Sequence, residues 1–147
     1  MATIIVAEDD KFIAHAYRNA LELAGYKVHM ASDGDEALRL IAKYKPDLVL
    51  LDLVMPGRDG FDTLREIRVT NKKLPIIILS NLGQDSDIKQ CQHYGISAYM
   101  IKSDVSMKEV LHNIRKYLPK KKIGTIKDQR AIKKLVTKKL KVKHKVK

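Results

Sequence analysis

Short apolar runs alternate with longer amphipathic stretches along the first 118 residues. The runs are Thr3–Ala7, Tyr26–Met30, Leu48–Leu51, Ile76–Leu79 and Ala98–Ile101, and Pro46 and Pro75 flank two of them. None alternates cleanly between apolar and polar, which suits strands buried on both faces of a parallel sheet. Between the runs the period changes. In Lys11–Ala24, residues Ile13, Ala16, Tyr17, Ala20, Leu21 and Ala24 recur at helical spacing, and Gly25 ends the pattern. Asp33 or Asp35 can cap a helix over Glu36–Tyr44. Asp59–Val69, Asp85–Tyr94 and Met107–Leu118 supply three more, the last with Ser106 as its cap. The order is (βα)5. Strict alternation with short connections predicts five parallel strands, right-handed crossovers and helices on both faces.

Charge alters this picture at one end. The 147 residues hold 29 Lys+Arg and 17 Asp+Glu, a net charge of +12. Residues 1–118 carry 16 of each sign, so the whole excess lies in 119–147, where 13 cations face one acid, Asp128. Pro119 marks the boundary, because the residue before a proline leaves the α region. The chain therefore divides into a neutral domain over 1–118 and a lysine-rich extension over 119–147. Within the extension, 120–127 reads as a linker. Asp128 can cap a short helix over Gln129–Lys141, with Ile132, Leu135, Val136 and Leu140 on one face; a disordered, solubilising tail is the plainer alternative.

An apolar share of 45% excludes wholesale disorder. The single cysteine, Cys91, rules out an intrachain disulfide and fits a reducing, cytoplasmic setting. It reads as a half-buried helix residue with no activating neighbour. The start, MATIIVAEDD, lacks the basic region of a signal peptide. No apolar stretch approaches the ~18–20 residues that span a bilayer, so a transmembrane protein is not expected.

The candidate chemistry lies at strand ends. Glu8, Asp9 and Asp10 follow the first strand and Asp52 follows the third. Open parallel sheets bind ligands at their carboxyl-terminal edge. If the strand order is 2-1-3-4-5, the first and third strands are neighbours, and Glu8, Asp9 and Asp52 converge. Clustered carboxylates need a positive charge among them, and oxygen-only ligands suit Mg²⁺. Asp10 reads as the cap of the first helix. The fourth strand ends at Ser80 and the fifth at Lys102. Acids for a metal, a hydroxyl and an ammonium match phosphoryl transfer, in which a carboxylate can be the nucleophile.

With these residues in place the chain resembles the receiver domain of two-component response regulators. The matching stretches are IIVAEDD, LVLLDLVMPGRDGFDTL, PIIILSN and YMIK, within residues 3–118. The resemblance implies a flavodoxin-like fold with order 2-1-3-4-5 and a stand-alone response regulator. Such a protein takes a phosphoryl group on Asp52 from a sensor histidine kinase or phosphotransfer protein and signals to a downstream protein target. It is a phosphoacceptor assisting its own phosphorylation and dephosphorylation, not an enzyme acting on a separate substrate. By the same resemblance, Asp9, Asp52 and the Val54 carbonyl hold Mg²⁺, with Glu8 acting largely through water. Lys102 and Ser80 contact the phosphoryl oxygens, Tyr99 is the switch aromatic that turns inward as Ser80 moves, and Gly60 fits the turn after Met55 and Pro56.

Three departures from the family pattern stand out. Ser103 follows Lys102 where a proline joined by a cis bond is usual, and a cis bond before a non-proline residue costs ~3–4 kcal/mol. Asn81 follows Ser80 where a small residue is usual, with crowding of the phosphoryl group as the expected result. Val54 and Leu82 flank the path of a hydrolytic water, which predicts slow dephosphorylation. His15 falls on the exposed face of the first helix, which in the family meets the kinase. His93 reads as a helix-end residue.

Two other readings compete. A Mg²⁺-dependent phosphatase uses a similar pocket but wants a second acid to protonate the leaving group, and the residue two after Asp52 is Val54. The extension can bind nucleic acid weakly and nonspecifically through phosphate contacts, lie on an anionic membrane, or dock its apolar stripe on a protein. It has no Phe, Tyr or Trp for stacking.

Overall fold

The structure is a computed structural model that describes residues 1–119. Five strands, β1 (Thr3–Ala7), β2 (Lys27–Ala31), β3 (Leu48–Leu51), β4 (Ile76–Ser80) and β5 (Ala98–Ile101), form one parallel sheet. Its order is β2-β1-β3-β4-β5. Five helices alternate with them: α1 (Lys11–Leu23), α2 (Gly34–Tyr44), α3 (Gly60–Thr70), α4 (Asp85–His93) and α5 (Met107–Tyr117). The flavodoxin-like (βα)5 fold expected from the sequence is the observed one. The helix expected over 129–141 lies outside the described residues. Among those residues no helix is long and apolar enough to cross a membrane.

The strands lack polar alternation because both sheet faces are covered. Ile4, Val6, Leu48, Leu50, Ile77 and Leu79 point into one core, closed by Leu21 of α1 and by Val110 and Ile114 of α5. Ile5, Ala7, Val49, Leu51, Ile76 and Ile78 point into the other, closed by Ala37, Leu64, Ile67 and Cys91. Successive strand residues thus serve opposite layers. Cys91 is fully buried, not half-buried as expected, and burial pushes its thiol up to about 11.

Local chemistry explains the element boundaries and their small departures from the periodicity. Asp33, not Asp35, caps α2, its carboxylate accepting from the Glu36 N–H at 2.8 Å; the helix begins at Gly34. Asp59 lies outside α3 as its cap, accepting from the Asp62 N–H at 2.9 Å. β2 runs one residue later than the apolar run, with Lys27 rather than Tyr26 paired to Thr3. Ser106 and Glu109 form a reciprocal capping box on α5. That helix stops at Tyr117, and Leu118 is extended ahead of Pro119.

Candidate functional site

A parallel sheet delivers all its strand ends to one edge, and this order brings β1 against β3. Ala7 pairs with Leu51, so Glu8 and Asp52, the next residues of each strand, emerge side by side. The Asp52 N–H donates to the Ala7 carbonyl at 3.1 Å, and the Glu8 N–H donates to the Ala31 carbonyl at 2.9 Å. These bonds hold both carboxyl-bearing residues to the rigid sheet.

Glu8 and Asp52 are buried and Asp9 is exposed, yet all three offer carboxylate oxygens within 4.8 Å of one another. Asp52 Oδ1 accepts from the Val54 N–H at 3.2 Å, and Glu8 Oε2 accepts from the Asp10 N–H at 3.2 Å. Lys102, at the end of β5, reaches across the pocket. Its Nζ donates to Asp52 Oδ2 at 2.7 Å and forms an ion pair with Glu8 Oε1. That Glu8 oxygen is buried, and the Lys102 ammonium is the charge it faces.

The electrostatics follow from burial. Loss of solvent raises the Glu8 pKa above its ordinary value, against the opposing pull of Lys102 and the Asp10 N–H. Burial works against the Lys102 ammonium, but its bonds to Asp52 and Glu8 outweigh that and leave its pKa raised. Three carboxylates facing one ammonium leave two negative charges uncompensated. Hard oxygen donors with such an excess suit a small divalent cation.

The other rim residues are tied together by two loops. Ser80 is fully buried, and its Oγ accepts from the Leu82 N–H at 3.3 Å. The Tyr99 hydroxyl donates to the Leu82 carbonyl, and burial pushes that hydroxyl up to about 12. Asn81 is exposed and turns toward the neighbouring loop: its Oδ1 accepts from the Ser103 N–H at 3.0 Å. All peptide bonds among the described residues are trans, Lys102–Ser103 included, and Lys102 still reaches Asp52.

Gly60 differs from its expected role. The left-handed turn residue is Gly57, at φ +72°, whereas Gly60 opens α3 and packs on the site itself. A Cβ there would lie 2.3 Å from the Asp52 carbonyl oxygen and 2.4 Å from Leu53 Cα. Asp10 caps α1, accepting from the Phe12 and Ile13 N–H groups at 2.9 and 3.1 Å. His15 is exposed on α1, and His93 ends α4 with its ring edge-on to Tyr94. Sequence reasoning assigned Tyr17 only to the core. It is buried, with a hydroxyl that senses Lys102, Glu8 and Asp52, and its helical spacing carried no sign of that. It also missed the exposed ring of Phe12, 90% accessible, in the first turn of α1.

Residues 4–121 match the sequence profile of the response regulator receiver domain. The chain belongs to the response regulator receiver family. Response regulator MprA of Mycobacterium sp. (strain KMS) is 36% identical over 115 residues, covering 78% of this chain and 50% of that protein. The receiver thus spans about half the length of the relatives it matches. Among solved structures, the BeF3-activated N-terminal receiver domain of Klebsiella pneumoniae RstA is 31% identical with a TM-score of 0.75, covering 80% of this chain and 99% of that one. The receiver domain of Francisella response regulator 1452 is 32% identical with a TM-score of 0.74, covering 80% and 96%. The receiver is accordingly a signalling phosphoacceptor module of two-component systems. Receivers hold Mg²⁺ at an acidic site of the kind formed here by Glu8, Asp9 and Asp52.

Proposed function

We propose that this receiver is a stand-alone response regulator that accepts a phosphoryl group on Asp52 and signals by protein–protein contact. The observation that carries the reading is the placement of the Lys102 Nζ between Asp52 Oδ2 and Glu8 Oε1, with Asp9 alongside. An Asp52 carboxylate oxygen attacks the donor phosphorus. The new O–P bond forms as the donor's P–N bond breaks, and the electron pair leaves with the donor imidazole, which takes up a proton. Asp9, Asp52 and the Val54 carbonyl would hold Mg²⁺, with Glu8 beside them, and the bound ion would supply charge neutralisation at the phosphoryl oxygens. Lys102 gives up its bond to Asp52 and pairs with a phosphoryl oxygen. Ser80 leaves the Leu82 N–H to donate to another. The same pocket assists loss of the phosphoryl group to water, slowly, because apolar Val54 and Leu82 border the approach.

The Ser80 movement alters Leu82, and with it the seat of the Tyr99 hydroxyl. The face made by α4, β5 and α5 then changes, and this is the surface we assign to output, a local charge change read by a two-state element. His15 lines the cavity beside Glu8 and Asp9, and with exposed Phe12 on the same helix it suits a phosphodonor such as a sensor histidine kinase or phosphotransfer protein. The receiver occupies 1–118 in this reading and 119–147 is a separate basic extension. Incubation with acetyl phosphate and Mg²⁺ tests the proposal: the wild-type chain gains one phosphoryl mass and Asp52→Asn gains none. Failure of the wild type to label under conditions that label other receivers overturns it.

A further inference from the structure

The neutral charge of the receiver hides a strong separation. From each strand end into the first turn of the next helix lie 13 of its 16 carboxylates and only four cations, Lys11, Arg58, Lys102 and Lys108. That edge is therefore −9. The rest of 1–118 holds 12 cations against Glu22, Asp47 and Glu66, which is +9. The cause is local: Asp10, Asp33 and Asp59 cap helix N-termini, Glu8, Asp9 and Asp52 line the pocket, and Lys43, Arg68, Arg115 and Lys116 occupy last turns. In a parallel α/β sheet these preferences all point the same way, so they add.

The opposite edge is a positive surface that the phosphoryl chemistry does not use. Lys27, Lys43, Lys45, Lys72, Lys73, Arg115 and Lys116 are exposed there. Among the described residues none of the seven has a carboxylate partner within 4.0 Å, unlike Arg18, Arg39, Arg58 and Arg65. Lys27, Arg18 and Lys43 add to burial in lowering the pKa of His29. These seven cations are solvated, and clustered on one edge they set up a local positive potential that draws anions. The helix α5 also ends at this edge, so the chain leaves the described structure here and continues into 28 residues with 13 more cations.

We infer that this basic edge of the receiver binds the phosphate backbone of duplex nucleic acid. An anionic bilayer is the less fitting partner, because the chain has no Trp, both Phe residues lie elsewhere, at positions 12 and 61, and the tyrosines of this edge are engaged, Tyr26 and Tyr117 against the core and Tyr44 stacked on His29. The binding is independent of the phosphoacceptor reading. It leaves the Asp52 edge facing away, a strand length of ~17 Å distant, about two Debye lengths at physiological salt.

The test uses the full chain and a labelled DNA duplex titrated between about 50 and 200 mM salt. The wild type should bind at low salt and lose affinity steeply. The variant with Lys27→Gln, Lys72→Gln, Lys73→Gln and Arg115→Gln keeps the extension and should lose affinity, with the slope of log affinity on log salt reduced by about 2 to 4. Lys108→Gln, one exposed charge at the acidic edge, should change neither. Thermal melts matching the wild type show that the variants are folded. The inference is overturned if the four-fold variant binds as the wild type does, if Lys108→Gln weakens binding comparably, or if anionic vesicles capture the chain while the duplex does not.

Discussion

Ser80 and Tyr99 hold opposite ends of the same peptide residue: Leu82 donates its N–H to Ser80 Oγ at 3.3 Å and accepts the Tyr99 hydroxyl at its carbonyl. Neither side chain can move without releasing or reorienting the β4–α4 loop. Tyr99→Phe removes one of the two ties. The expected cost is about 1 kcal/mol of stability, together with faster hydrogen exchange at the Leu82 amide. Unchanged exchange there would show that the two ties are not coupled.

The two departures flanking the site compensate each other. Ser103 supplies an N–H that a proline lacks, and Asn81, 22 positions earlier, supplies the acceptor. A double-mutant cycle with Asn81→Ala and Ser103→Pro should give a coupling energy of about 0.5–1.5 kcal/mol. The two single variants should each loosen the Lys102 loop, seen as faster exchange at the Lys102 amide. Strict additivity would mean that the bond does not tie the loops together.

Glu8 titrates against the fold. Its folded pKa is raised, chiefly by burial, so the folded state holds this proton to a higher pH than the unfolded chain does. Its contribution to stability therefore falls as pH rises through the window above 4.5. Glu8→Gln should flatten that fall in a melting-temperature profile. Added Mg²⁺ should raise the wild-type melting temperature, by the equivalent of ~2.7 kcal/mol at 100 times its dissociation constant. Asp9→Asn and Glu8→Gln should each shrink the Mg²⁺ effect.

The His29 ring stacks on Tyr44 at a centroid distance of 3.7 Å and an angle of 11°. Burial, then Lys27, Arg18 and Lys43, lower its pKa below 6.5. The unfolded chain takes up this proton first, so the stability gained from neutral His29 is present above pH 6.5 and is lost as pH falls below it. His29→Phe keeps the stack and should reduce the drop in melting temperature between neutral and mildly acid pH. An identical acid profile would assign the drop to other groups.

Gly60→Ala places a methyl group against the Asp52 backbone, which cannot swing aside as a flexible side chain would. The expected loss is about 3 kcal/mol, at the upper end for overpacking, with reduced phosphorylation by acetyl phosphate because Asp52 moves with its peptide. Gly57→Ala has open space around its Cβ and only an unfavourable φ to satisfy. It should cost ~1 kcal/mol and spare labelling.

The sequence by itself determined the succession of elements and the residues of the pocket. Periodicity and capping are local properties, so (βα)5 was legible from apolar spacing, and Asp10, Asp59 and Ser106 sit at the helix starts where they were expected or one residue away. Glu8, Asp9, Asp52, Ser80 and Lys102 were legible because each ends a strand, and a parallel sheet collects its strand ends at one edge. Only the tertiary structure decided how those groups partner. The Lys102 bridge between Glu8 and Asp52 spans 50 residues of chain to Asp52, and the Asn81–Ser103 bond joins two loops whose residues look unrelated in sequence. The tight seat of Gly60 depends on where α3 lands on β3. The separation of charge also needed the fold: residues 1–118 sum to zero along the chain. The parallel order, by stacking every helix N-terminus at one edge and every helix C-terminus at the other, turns that zero into two opposed surfaces.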